Sequence, residues 1–536
     1  MFRPLSRRLT RPLSYAALAA WVGCMGLVAQ RAYLQASATN LATDLARYGT
    51  AAQWRGVYYR GEKVGFTVGQ VIPTADGFEL QEDGRLQMSL LGATTPAIIR
   101  TTARVDRAFA LQSFEFSLDP GTGPLHLSGT VDGLTLSIAI RTGGSTRTEV
   151  RRLTEPPALM LTLARRLAST GLEAGGRHAL MVFDPATLSN APVVVDVSGR
   201  EIVVAGGRPT PAFKVQLGFS GLTTTAWITD TGEIVREESP LGLMSVRETP
   251  EQARALAVSS RVRADMLEAA AIVPTLRTPV SEPTDVTRLR VEFNGVDLSG
   301  FQLTSSTQRL DGRVLEVSDP RTLVAGPADP DLDRFLRPEA LIESDDPEVM
   351  AEAQRIVAGV TGTRARAERL VREVNGLLDK KPTISVPSAK EVLRTKVGDC
   401  NEHTALYVAM ARALGIPARI NVGLVMVRGA FYYHAWPEVY IDEGPTRGYW
   451  LPVDPTFNQF PADTTHLRLL QGGLDKQTAI LPLIGRLKLT VLEVEMTPNT
   501  SPVIVGRDAA DARPLSMALP TRQACGCWAL PCRGAP

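Results

Sequence analysis

Three short stretches, Val397-Gly-Asp-Cys-Asn-Glu-His403, Tyr433-His-Ala-Trp-Pro-Glu-Val439 and Leu451-Pro-Val-Asp-Pro-Thr-Phe457, decide how this chain is read. Gly415-Ile-Pro417 stops a helix, and Pro417 cannot continue it. Leu406, Ala409, Met410, Ala413 and Leu414 recur at helical spacing before that stop. Cys400 therefore opens a buried helix. A helix N-terminus carries unpaired N–H groups and partial positive charge, which predicts a lowered thiol pKa. The Cys400 N–H is a candidate oxyanion donor.

Ile420 to Val427 is apolar and β-branched, Arg428-Gly-Ala430 turns, and Phe431 to Ile441 returns as a hairpin. Period-two alternation puts His434, Trp436 and Glu438 on one face. Pro437 removes a ladder donor, which predicts an edge or a bulge there. Tyr449 to Asp454 reads as a third antiparallel strand, able to bring Asp454 beside His434. Nucleophile, base and orienting carboxylate thus follow in the order Cys400, His434, Asp454. His403, three residues after Cys400, is the rival base. Glu402 is read as structural, as is His466 in Asp463-Thr-Thr-His466. No side chain is assigned as an oxyanion donor.

These three signatures resemble the transglutaminase-like superfamily of papain-type thiol enzymes, over roughly Asp331 to Glu495. The resemblance implies an α+β core with Cys400, His434 and Asp454 as a catalytic triad, acting through a thioester in amide hydrolysis or cross-linking. Hydrolysis is preferred, since water is abundant and nothing marks an amine site. The alternative is a non-catalytic envelope scaffold or ligand-binding protein on the same fold. No cofactor or metal is expected. Ser344-Asp-Asp-Pro-Glu348 lacks the spacing of a calcium loop, and Cys525, Cys527 and Cys532 have no partner cluster for zinc.

With 536 residues, several domains are expected. Residues 1–40 form a signal anchor. Arg3, Arg7, Arg8 and Arg11 precede an uncharged run from Leu13 to Ala29, and Arg31 follows, which predicts an inside N-terminus and an extracytoplasmic body at a bacterial inner membrane. Cleavage after Ala36-Ser-Ala38 would instead release a periplasmic protein. Residues 41–265 read as an antiparallel β-rich domain, one curved or partly closed sheet. Expected there are hairpins at Trp54–Val71 and Phe78–Leu91, the latter turning at Asp83-Gly84. Further strands are expected at Val193–Val197 and Glu201–Val204, and a helix over Pro157–Ser169. Residues 266–330 form a linker and small β segment, 331–505 the transglutaminase-like core and 506–536 an irregular tail. Partners expected are an envelope protein or peptide substrate and the membrane. A net charge of +2 and the lack of a basic stripe give no case for nucleic acid.

Overall fold

Alternation and turn chemistry govern the N-terminal half, and helical periodicity the C-terminal half. The computed structural model describes residues 45, 48–49 and 51–497, apart from 91–92, 122, 143, 220, 256–264, 277–279, 281 and 383–385. The anchor expected over 13–29 and the cysteines of the tail lie outside the described residues. Among the described residues no helix is long and apolar enough to cross a membrane. The unit formed by Trp54–Thr67 and Val71–Pro536 carries the sheets and the site.

Fourteen strands make one sheet. From its edge strand Ser145–Arg152 the order runs back through the chain to Gln53–Tyr59. Leu243–Glu248 pairs there, and the order descends to Arg177–Asp184 at the other edge. Strand Leu125–Asp132 buries every other side chain over its first six residues, the pattern of a sheet covered on one face. Helix Met160–Thr170 sets Leu163, Ala164 and Leu167 among Val193, Val195 and Val215.

Two expected turns are not turns. Gly77–Leu90 is one strand that runs straight through Asp83-Gly84, with Asp83 opposite Arg100 and Gly84 opposite Ile99. Phe78, Leu80 and Leu86 share one parity, so the alternation continues across the dipeptide, and a long partner strand supplies ladder bonds throughout. Ser189–Ala205 is likewise one strand, and the irregularity near Gly199 is a shift of register between Val197 and Gly199.

The C-terminal half has three layers. The middle layer is an antiparallel sheet in the order Gly326–Pro327, Arg447–Pro452, Ala430–Asp442, Ala418–Val427, Leu467–Gln471. Helices Pro347–Ile356, Thr363–Leu377, Ala389–Thr395 and Cys400–Ala413 cover one face. Leu406, Ala409 and Met410 pack there with Val439, Ile441 and Leu451. The other face sets Val422, Leu424 and Phe431 against Leu289, Val291 and Leu489 of a second sheet, in which Lys488–Met496 pairs with Val286–Asn294. Coverage on both faces explains why Ala418–Val427 is apolar without alternation. Each fully buried Leu or Val contributes about 1.5–3 kcal/mol.

Pro437 sits neither at an edge strand nor at a bulge. Its strand is interior to the sheet, and the register with Ala418–Val427 is unbroken, Ile420 opposite Pro437. Its carbonyl accepts from Val453 N at 3.0 Å, beyond the last ladder pair Glu438–Pro452. The missing N–H therefore falls where that ladder ends.

Candidate active site

Asp399 caps the helix Cys400–Ala413. Its carboxylate accepts from Asn401 N at 3.0 Å, and Glu402 reaches back to accept from Asp399 N at 2.8 Å. Gly398 permits that closure, since a Cβ there would lie 2.2 Å from Glu402 Cβ. Thr404 Oγ1 donates to Ala435 O at 3.0 Å and ties the helix to the strand beside His434. Glu402 is thus part of the cap.

The structure brings Cys400 and His434 to one cavity of about 210 Å³. The Ala435 backbone, next after His434, lies close enough to the Cys400 sulfur to favour its charged form. His434 Nε2 lies 2.7 Å from Asp454 Oδ2, and both side chains are buried. A carboxylate only accepts, so Nε2 carries the proton and Nδ1 is the nitrogen left for the thiol. Asp454 is held in turn. Its Oδ1 accepts from Thr456 N at 2.7 Å and Phe457 N at 3.1 Å, and Asn375 Nδ2 donates to Pro455 O at 2.8 Å just beyond it.

The thiol itself departs from expectation. Burial pushes the Cys400 pKa well up, and Asp399, Glu402 and Asp454 add to the rise, while the Ala435 backbone pulls the other way. The cap adds to the effect of burial: a carboxylate already occupies the positive end of the helix that was to favour a thiolate. Cys400 is half-buried and reduced, and its surroundings favour the thiol form.

His403 is turned away from the base role. Its Nδ1 meets the Asp399 carbonyl at 2.6 Å, burial lowers its pKa, and its buried Nε2 has no hydrogen-bond partner among the described residues.

Three contributors were not assigned from sequence. His466 Nε2 reaches Asp454 Oδ2 at 3.0 Å, and its Nδ1 faces Asp463 Oδ1 at 3.2 Å. No periodic signal marks it, because a loop carries it. Leu267 and Ala270 line the cavity from the short helix Met266–Ala270, in a segment read as linker. That segment is fixed by paired backbone bonds of 2.8 Å between Ile272 and Phe431. Gln477 also lines the cavity and donates to Asn401 Oδ1 at 3.1 Å. It is an ordinary amide in sequence.

Asp454 is charged. Burial opposes ionisation, but His434 and His466 outweigh it and hold the carboxyl well below the usual range. Burial also opposes charge on His466, yet Asp463 and Asp454 push its pKa up to about 10. The ligand-type atoms of His434, Asp454 and His466 lie within 4.8 Å of one another. Metal ligation would need a free lone pair on His466, and both its nitrogens face carboxylate oxygens as donors.

A thiol at the start of a buried helix, set against an antiparallel strand that carries histidine and backed by a buried aspartate, defines a papain-type α+β thiol-enzyme core. Residues 351–455 match the transglutaminase-like superfamily, so this part of the chain is a transglutaminase-like domain, of a family of thiol enzymes. Among solved structures, the chain resembles a candidate cysteine protease of Cytophaga hutchinsonii at 18% identity and a TM-score of 0.28, over 40% of this chain and 90% of that one. A DUF1089 family protein of Pseudomonas aeruginosa shares 14% identity at a TM-score of 0.20, over 32% of this chain and 87% of that one. No curated protein matches the chain.

Proposed function

We propose that the protein is an extracytoplasmic thiol-dependent acyl-transfer enzyme, a peptide or amide hydrolase or a transglutaminase, with Cys400 as nucleophile, His434 as base and Asp454 as its orienting carboxylate. The observation that carries the reading is the linked set in one place: Cys400 and His434 lining one cavity, with Asp454 2.7 Å behind the imidazole. His434 takes the thiol proton as sulfur attacks a carboxamide carbon. The C–N bond breaks, the proton passes to the leaving amine, and a thioester remains. Water, or an amine in cross-linking, then cleaves the thioester with His434 as base. Burial favours the protonated thiol, which supports proton transfer to His434 as the attack begins. Attachment through Leu13–Ala29 and substrates in the cell envelope are supported by the charge pattern around that run.

One observation favours a second reading, a non-catalytic envelope scaffold or ligand-binding protein: burial and three carboxylates push the thiol up. The two are separated by the rate of alkylation at Cys400, resolved by peptide mass spectrometry, in wild type and His434→Ala. The enzyme reading expects labelling near pH 7 to fall at least about 10-fold in the variant, within the range of general-base effects. An unchanged rate that rises only at alkaline pH would favour the scaffold.

A further inference from the structure

Asp454 is approached from two sides. His434 and His466 both direct Nε2 at the same oxygen, Oδ2, at 2.7 and 3.0 Å. His466 is then closed from behind by Asp463, whose Oδ1 lies 3.2 Å and whose carbonyl lies 3.1 Å from Nδ1. Both nitrogens of His466 thus face oxygens that only accept. A neutral imidazole has one N–H and would turn a lone pair on one of them. The ring must carry both protons.

This arrangement is built rather than incidental. Asp463 is fixed by Gln459 Nε2 at 2.7 Å, Thr465 N at 2.9 Å and Thr465 Oγ1 at 2.6 Å. Strand Leu467–Gln471 carries His466 inward because it docks on Ala418–Val427 at Gly423, the residue opposite His434. A Cβ at Gly423 would lie 2.0 Å from the Leu467 carbonyl oxygen. Only glycine lets the strand close, and closure delivers His466.

We infer that His466 is a positioning residue of the site, an imidazolium that clamps Asp454 opposite His434 and so holds the carboxylate that orients the His434 ring toward the thiol. This rests on the triad reading given above. The charged and titratable groups around His466 are Asp454, Asp463 and His434, with Glu438 and Arg468 across a small internal cavity. Glu438 is paired with Arg419 at 2.7 Å. The fixed charge neutralises Asp454, which would otherwise stand buried against His434 alone, and the second hydrogen bond fixes the carboxylate oxygen to which His434 donates.

The test is the pH profile of Cys400 alkylation by iodoacetamide, between pH 4 and 10, in the full chain and in His466→Gln, with His434→Ala alongside. Gln removes the charge and one of the two donors that hold the loop to Asp454. The labelling rate in His466→Gln is expected to fall about 10-fold or less, between wild type and His434→Ala. A rate and pH profile identical to wild type, while His434→Ala still slows labelling, overturns the inference and leaves the triad standing. No effect of His434→Ala overturns both. Histidine nitrogen NMR of the wild-type protein keeps the question open to refutation if the variant fails to fold. Both His466 ring nitrogens are expected to be protonated at pH 8, and a neutral tautomer there overturns the proposal.

Discussion

The fourteen-stranded sheet and the nucleophile helix bury apolar residues in opposite ways. Along Leu125–Asp132 buried and exposed positions alternate, and only one face is covered. Along Cys400–Ala413 every residue from Glu402 to Arg412 is buried. The sheet can change half its side chains without touching its core. The helix is wrapped on all sides, so its first residue is placed by the whole domain. The same wrapping removes water from Cys400, which raises the thiol pKa. Accurate placement and the cost of a charge on the sulfur have one cause.

A charge scan breaks or sharpens that comparison with the largest effects. Aspartate placed at each of Ala405, Leu406, Val408 and Ala409 buries an unpaired carboxyl wherever it lands. Every one of these variants is expected to lose more than about 4 kcal/mol or fail to fold. Along the strand the result should alternate. Leu127→Asp is expected to be severe, and Ser128→Asp, at an exposed position, to stay within about 0.5 kcal/mol. Urea unfolding reads both. A graded tolerance along the helix would mean that it is not wrapped as described.

Single hydrogen bonds give a middle-sized contrast. Tyr407 is fully buried and its hydroxyl donates to the Ala367 carbonyl at 3.0 Å, joining two helices. Tyr407→Phe leaves that oxygen without its donor in a dry place and is expected to cost about 1–3 kcal/mol. In the sheet, Trp227 Nε1 donates to Glu201 Oε2 at 3.0 Å, where the carboxylate is about half exposed. Glu201→Gln there is expected to leave the unfolding midpoint nearly unchanged, because water replaces what is lost. Equal losses at the two sites would remove the distinction between the wrapped helix and the one-sided sheet.

The sequence made the two regions legible to different depths. Periodicity and the Gly415-Ile-Pro417 stop placed the nucleophile helix closely, and it runs Cys400–Ala413. The strand signals around His434 and Asp454 were equally local. What stayed hidden depends on distant partners. Asp83-Gly84 has turn chemistry, and the strands on either side, Ala93–Asp106 and Glu62–Pro73, hold it extended. His466 gains meaning only when a strand closes on Gly423. Leu267 and Ala270 sit in a segment that reads as a linker until it becomes the wall of the cavity. The rise in the Cys400 pKa escaped for a related reason: a helix N-terminus is a local signal, and desolvation is not.

The joint between the two regions offers the smallest effect and a direct sign. Glu343, from the core, accepts from Ser388 Oγ at 2.6 Å and from Thr142 Oγ1 of the sheet at 3.3 Å. Burial raises its pKa, and the hydrogen bonds from Ser388, Lys390 N and Thr142 offset part of that rise. A carboxyl whose folded pKa lies above its unfolded one favours folding in its protonated form. Its contribution is present below the unfolded value, near 4.3 for an ordinary glutamate. It is lost as pH rises through the folded value. Glu343→Gln keeps an acceptor and removes the titration. The variant is expected to match wild type near pH 4 and to melt roughly 1–3 °C higher at pH 8, with the gap opening as Glu343 ionises. A variant less stable by the same amount at both pH values would show that the geometry of the three hydrogen bonds, and not the buried charge, governs how the sheet meets the core.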